Sequence, residues 1–243
     1  MKFDVDSFVR KLNKQYVKSR KNTEFKTKTS FSPSTVGYGY GTCPRYWNLA
    51  FSGAEFDESW SAPQVIAMMT GTDSHERIQK KMAEMGALVQ DEVEIKNANP
   101  PIRGFVDAIV EQDGVRAVAE IKTIKADQFI KRKDEGVPSE SHLLQLLIYM
   151  KLLNMDEGFI LYEDKNGHLI TANPVVMNEK NKQYIEDVFD WMTVVYDAFK
   201  SKKNVARAYT KSSTICKYCP LNRTCYEQTN GRTKIPPLEV KIP

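Results

Sequence analysis

The sequence has no uninterrupted apolar stretch approaching the length needed to cross a bilayer, so a helical membrane span is not expected. Its first residues, MKFDVDSFVRKLNKQ, lack the apolar centre of a secretory signal, and Asp4 and Asp6 argue against a mitochondrial presequence. The expectation is a cytoplasmic protein, in a host cytoplasm if a phage encodes it. There is no Walker A loop, so any ATP-driven unwinding must come from a separate partner. Internal repeats are absent. Cysteine is scarce: Cys216, Cys219 and Cys225 form a C-x2-C-x5-C cluster, and Cys43 stands 173 positions upstream of it. In a reducing compartment that clustering reads as metal binding rather than disulfide pairing.

What is present suffices for a sizeable core. The 243 residues are 41% hydrophobic, which suits one large domain or a domain with an appendage. The net charge of +4 is unevenly spread: residues 1–30 hold nine Lys/Arg against three Asp/Glu, a balance of +6, which leaves −2 for the remainder. With Phe3, Phe8, Tyr16 and Phe25 interspersed, this basic segment suits a phosphate backbone. It also reads as an amphipathic helix with Phe8, Val9, Leu12 and Tyr16 turned inward, and the two readings are compatible. Residues 22–35 are polar and turn-rich, an exposed connection.

The most informative stretch is GFVDAIVEQDGVRAVAEIKT, residues 104–123. Two short apolar runs flank Asp113-Gly114, a dipeptide that favours a tight type I′ hairpin turn. With those two residues as the loop, paired residues sum to 227. Asp107 then faces Glu120 with Cβ atoms roughly 5 Å apart, and Lys122 shares their face. Two facing carboxylates repel unless a cation lies between them. A divalent metal with a lysine beside it points to phosphate chemistry. Phosphodiester hydrolysis needs carboxylates to hold a hard cation, and an ammonium to orient water and stabilise developing charge. The runs FVDAIV and AVAEIKT are too apolar for a solvated strand pair.

Elsewhere, helices are expected over 45–51, 61–86 (Ser61 as cap, Pro63 in the first turn), 139–154 and 178–203, with strands over 88–96, 102–111, 115–123, 157–163 and 168–176. Residues 125–136 read as a surface helix or loop. In the 61–86 helix, Met68, Gly71, His75, Ile78, Met82 and Met85 fall on one inward stripe. His75 is the only imidazole on that stripe, and on its own it reads as core. The 139–154 helix is apolar almost all round, so the polar pair Gln145 and Tyr149, with His142 on their face, must find partners: a structural network or the hairpin site. Pro44 suits a helix start and leaves Cys43 just outside it, poised as a ligand. The fold expected is an α/β mixed sheet with helices on both faces, with the cysteines joining the two chain ends outside it.

The segments G-T-D-S-H-E (71–76), G-F-V-D (104–107), E-I-K (120–122) and Q-L-L-I-Y (145–149), with Cys43 and C-K-Y-C-P-L-N-R-T-C (216–225), resemble the PD-(D/E)XK nuclease superfamily. Within it the chain is similar to RecB-like exonucleases carrying an iron–sulfur cluster, a group that includes AddB nuclease domains and CRISPR-associated exonucleases. The resemblance covers most of residues 35–226. One departure is that Val106, not proline, precedes Asp107.

The resemblance implies a restriction-endonuclease-like fold with an iron–sulfur lobe. It divides the chain into a basic segment (1–34), a nuclease domain (35–226) and an extended tail (227–243). It makes His75, Asp107, Glu120 and the carbonyl of Ile121 the ligands of Mg²⁺ or Mn²⁺. It makes Lys122 the catalytic lysine, with Gln145 and Tyr149 organising the lysine and the substrate backbone. Cys43, Cys216, Cys219 and Cys225 would hold a [4Fe–4S] cluster, although tetrahedral zinc accepts the same thiolates. The implied activity is a metal-dependent deoxyribonuclease, an exonuclease on single strands or DNA ends, in recombination, repair, replication or CRISPR adaptation. Its partners would be DNA and a separate helicase or recombination protein. The alternative is a DNA-binding iron–sulfur subunit of such a complex, with cleavage secondary or absent.

Overall fold

The structure is a computed structural model that describes residues 3–21, 27–57 and 59–243. Phe25 and residues 22–26 of the expected connection lie outside the described residues. The chain opens with helices α1 (Val5–Lys21), α2 (Pro33–Val36), α3 (Pro44–Phe51) and α4 (Ala62–Glu84). Strands β1 (Leu88–Ala98), β2 (Pro101–Gln112) and β3 (Val115–Ile124) follow. After α5 (Ala126–Glu135) and α6 (Glu140–Leu153) come β4 (Glu157–Asp164) and β5 (Ile170–Val176). The chain ends with α7 (Glu179–Lys200), α8 (Thr214–Lys217) and α9 (Asn222–Glu227).

The five strands lie side by side in chain order. Neighbours are antiparallel except β3 and β4, which run parallel, with α5 and α6 as the crossover that parallel pairing requires. This is a mixed α/β sheet flanked by helices. Residues Leu143–Met150 of α6 are buried on every side, as expected for a helix pressed between the sheet and other helices. They belong to the larger core with Phe31, Trp47, Val106 and Ile160. Ile78 and Met82 of α4 cover the opposite face, in a smaller core with Ala108, Ala119 and Ile121. Among the described residues no helix is long and apolar enough to cross a membrane.

Two expected faces are corrected. Only Ile78 and Met82 of the α4 stripe are fully buried, while Met68 is 40% and Met85 72% exposed. The first half of α4 leaves the sheet and packs against α1 instead. On α1, Phe8, Val9 and Leu12 are exposed and Tyr16 is half-buried. Periodicity identified these helices, but it carries no information about where each helix meets the core.

Residues 228–243 form no helix or strand except an isolated bridge at Thr233, yet they are anchored. Ile235 and Leu238 are buried, Leu238 N donates to Thr42 O at 2.9 Å, and Trp191 Nε1 donates to Pro236 O at 2.9 Å. The end of the chain therefore straps across its beginning.

Candidate active site

The β2–β3 hairpin turns at Asp113 (φ +52°) and Gly114 (φ +78°), the two positive dihedrals of a type I′ turn. Its ladder runs from Gln112↔Val115 to Ala108↔Ala119, so every pair sums to 227 as the Asp-Gly turn dictates. One step further, where Asp107 would face Glu120, the backbone pairing stops. Asp107 Oδ2 accepts from Ile121 N at 2.7 Å instead, so a side chain takes the place of a ladder carbonyl. Val106 packs in the larger core and Ala108 in the smaller one, although residues two apart on a regular strand share a face. β2 therefore twists at Asp107. Glu92, in the strand opposite, has φ +45°. Gln79 of α4 holds the kink by donating to Asp107 O at 2.7 Å.

Glu120 is fully buried. Its Oε1 accepts from Lys122 Nζ and from Gln145 Nε2, the latter at 2.6 Å, and Gln145 Nε2 also donates to Tyr149 Oη at 3.1 Å. Its Oε2 is buried with no hydrogen-bond partner. Burial pushes the carboxyl up to about 7; the Lys122 ammonium opposes this and the Asp107 charge adds to it. Burial also works against the charge on Lys122, but the Glu120 and Asp107 carboxylates outweigh it and the ammonium holds its proton more tightly than usual. His75 Nδ1 lies 3.4 Å from Asp107 Oδ1. Burial disfavours the imidazolium, and the hydrogen bond and charge of Asp107 override that to raise its pKa. Burial, then the Glu120 charge, keeps the Tyr149 phenol protonated.

Behind the lysine lies a group that the sequence reading did not single out. Tyr162 pairs with Lys122 across the parallel strands, and its hydroxyl accepts from Ser139 N at 3.1 Å and meets His142 Nδ1 at 3.0 Å. His142, expected beside Gln145 and Tyr149, thus turns to Tyr162. Burial, with Lys122 and Arg132 nearby, pushes its pKa down to about 3, so it is neutral. The polar end of β4, Tyr162 followed by the buried Glu163 and Asp164, was the available signal.

Asp107, Glu120, Lys122, Gln145 and Tyr149 all line one cavity of about 410 Å³. Strands β2 and β3, helix α6, and α2 with the segment leading into it build it. Gly104 lets them close: a Cβ there would lie 3.0 Å from Pro33 Cδ and 3.2 Å from Tyr149 Cε1.

A sequence model of the PD-(D/E)XK nuclease superfamily matches residues 62–226. The chain belongs to that superfamily. The match starts at α4 and takes in the whole hairpin, α6 and three of the four cysteines; Cys43 lies outside it. No curated protein matches the sequence. Among solved structures, the chain is similar to SSO0001, with 19% identity over 93% of this chain and 98% of that one and a TM-score of 0.51. It is also similar to LHK-Exo, an alkaline exonuclease from Laribacter hongkongensis, with 11% identity over 78% and 95% of the two chains and a TM-score of 0.54. LHK-Exo in complex with dAMP gives 15% identity, 71% and 89% coverage and a TM-score of 0.54. These are likenesses of fold.

PD-(D/E)XK nucleases generally use divalent metals such as Mg²⁺ or Mn²⁺. Among the described residues, no three His, Cys, Asp or Glu side chains are gathered into a group that could hold a metal ion. The carboxylate pair nevertheless fits a hard cation. Glu120 Oε2 is an orphaned buried acceptor, and the repulsion from Asp107 that helps to raise the Glu120 carboxyl is one that a cation between the two would relieve.

Cys43, Cys216, Cys219 and Cys225 are free and half-buried, and the gathering expected of four cluster ligands is not found among the described residues. The thiol of Cys219 is pushed up to about 12, first by burial, with the charges of Cys43, Cys216 and Cys225 adding to it. Arg45, in the first turn of the wholly buried α3, reaches Cys225 Sγ at 3.2 Å through Nε, and Asn204 Oδ1, Val205 O and Thr229 O through its terminal nitrogens. Arg207 holds the carbonyls of Cys225 and Gln228. The sequence reading saw only a short aromatic helix here. A lone arginine in such a helix gave no sign that it would be buried.

Proposed function

We propose that the chain is a metal-dependent DNA nuclease, an exonuclease acting on single strands or DNA ends. The observation that carries this reading is Glu120: a fully buried carboxylate with one oxygen unpartnered, set beside Asp107 and Lys122 in an open cleft. Glu163 Oε2 is also buried and unpartnered, but Glu163 is ion-paired with Arg77 and His168, whereas Glu120 lines the cleft. Asp107 and Glu120 would hold Mg²⁺ or Mn²⁺, with His75 and the Ile121 carbonyl as further ligands. A cation bound there would polarise a phosphate oxygen and lower the pKa of an attacking water.

The remaining work falls to the protein's own side chains. Lys122, kept charged by its two carboxylate neighbours, orients that water and stabilises the charge that develops on the phosphate. Gln145 fixes one oxygen of Glu120 so that the other faces the cation, and Tyr149, through Gln145, presents a neutral hydroxyl to the substrate backbone. The fold shared with an alkaline exonuclease, one that has been seen with dAMP, supports action on DNA from an end.

The nuclease domain in this reading spans residues 35–226, of the RecB-like type, and its lobe holds a [4Fe–4S] cluster on Cys43, Cys216, Cys219 and Cys225. The C-x2-C-x5-C spacing with Cys43 upstream supports that assignment, as does the pinning of Cys225 by Arg45. Binding such distant residues together would staple the two chain ends. A separate helicase or recombination protein would supply strand separation.

The test is cleavage of end-labelled single-stranded, duplex and circular DNA with Mg²⁺, Mn²⁺ or EDTA. Linear substrates should be degraded and circles spared, with no cleavage in EDTA or by Glu120→Gln. Wild-type activity in that variant would overturn the site, and cutting of circles would overturn the exonuclease reading.

A further inference from the structure

Phe105 lines the same cleft two residues before Asp107, yet nothing in the chemistry above uses it. Its neighbours Gly104 and Val106 are packed, whereas its own ring is 45% exposed. The ring is held in place all the same. Arg103, whose Nε donates to Glu94 at 2.7 Å, sets its guanidinium 5.5 Å from the ring centre. Lys96 also pairs with Glu94, so this rim carries one net positive charge. A second part of the lining offers the hydroxyls of Ser30, Ser32 and Ser34. Lys28 Nζ backs them, donating to Ser32 Oγ at 2.9 Å. A flat apolar ring in one part and hydroxyls backed by an ammonium in another match the two halves of a nucleotide, its base and its phosphate. Two residues along a strand span about 7 Å, the reach from a phosphate at Asp107 to a base of the same or the adjoining nucleotide.

We propose that Phe105 is a stacking platform for an unpaired base next to the scissile phosphate, which makes single-stranded DNA or a frayed end the substrate. Inside a duplex each base is already stacked on both sides, so only an unpaired or terminal base can present a free face to a protein ring. Arg103 and the serine hydroxyls then meet the flanking phosphates. The proposal rests on the reading that the Asp107–Glu120 cleft receives DNA.

The test is fluorescence anisotropy in EDTA, so that binding is read without cleavage, with a labelled oligodeoxyadenylate and a duplex whose ends are capped by hairpin loops. Phe105→Ala and Phe105→Leu should weaken binding of the single strand about 5- to 150-fold, the range that losing one stacked base implies. Phe105→Trp should retain it. Leucine preserves the apolar bulk at this half-exposed position, so a loss in that variant reports the missing ring rather than a folding defect. An oligonucleotide with abasic sites should bind wild type and Phe105→Ala equally, and the capped duplex should not distinguish the variants. Wild-type affinity in both Ala and Leu variants, or equal losses on single strand and duplex, would overturn the proposal. Because this readout needs no catalysis, cleavage by Glu120→Gln would overturn Glu120 as the metal ligand, while the Phe105 binding losses are read independently of it. A protein that binds no DNA overturns both the nuclease reading and the platform.

Discussion

Replacing Glu120 by glutamine should stabilise the metal-free protein even as it removes the proposed activity. The carboxyl is raised from 4.5 to about 7 by burial. At about 1.4 kcal/mol per tenfold change in proton affinity, ionising it in the folded state is about 3 kcal/mol harder than in the unfolded chain. The sign follows from the direction: a carboxylate with a raised folded value imposes no penalty below about pH 4.5, a growing one up to about pH 7, and a constant one above that. Glutamine keeps the acceptor that receives Lys122 and Gln145. It puts an amide donor where Oε2 has no partner, which costs about 1–2 kcal/mol. The net gain above neutral pH is about 1–2 kcal/mol, or about 2–8 °C in Tm for a chain of this size. Below about pH 4.5 the gain should vanish or reverse. Urea and thermal melts in EDTA across that range measure it. Mn²⁺ added above neutral pH should then stabilise wild type, by about 2.7 kcal/mol at a hundredfold excess over its Kd, and leave the variant unmoved. A pH-independent difference between the two proteins, or equal stabilisation by Mn²⁺, would refute the reasoning.

Three other outcomes are expected. His142 is held neutral down to about pH 3, so stability should fall as pH drops below 6.5, where the unfolded chain takes a proton that the fold refuses; the loss is about 2 kcal/mol by pH 5. Urea titrations in the Glu120→Gln background isolate this trend from the opposing carboxyl, and His142→Gln should flatten it. Arg45→Met should cost about 3 kcal/mol or more, because it strips partners from Asn204, Val205 O and Thr229 O; faster alkylation of Cys225 in the metal-free protein would report the loosened lobe. Gly104→Ala should cost about 1–3 kcal/mol and lower kcat in DNA cleavage, since its Cβ meets the Pro33 ring and displaces Tyr149.

The hairpin was legible because one dipeptide fixes both turn type and register, and the register alone brings Asp107 to Glu120. What it did not reveal is that the ladder ends there and that Asp107 caps Ile121 N with its own carboxylate. That replacement depends on a twist of β2 set by Gln79 and Glu92, residues with no pattern of their own. Helix positions were likewise readable from periodicity. The burial of Met68 or Phe8 was not, because amphipathy states that a face is apolar and leaves open whether anything covers it. Arg45 shows the converse. A charged residue in a short aromatic helix reads as solvated, and only residues about 160 to 184 positions away supply the acceptors that bury it.

All eight residues of α3 are buried, and the elements that bury them include α7 and α9, far downstream. A ribosome adding about 5–20 residues per second reaches the end of α7 roughly 7–30 s after it has finished α3. For that interval Trp47 and Phe51 have no α7 to cover them, while the Leu238 strap on Thr42 arrives last of all. The nascent chain therefore carries an aromatic segment with unfilled contacts through most of its synthesis. A holdase chaperone that binds such segments would meet this protein at its N-terminal third, before the β2–β3 hairpin has been made.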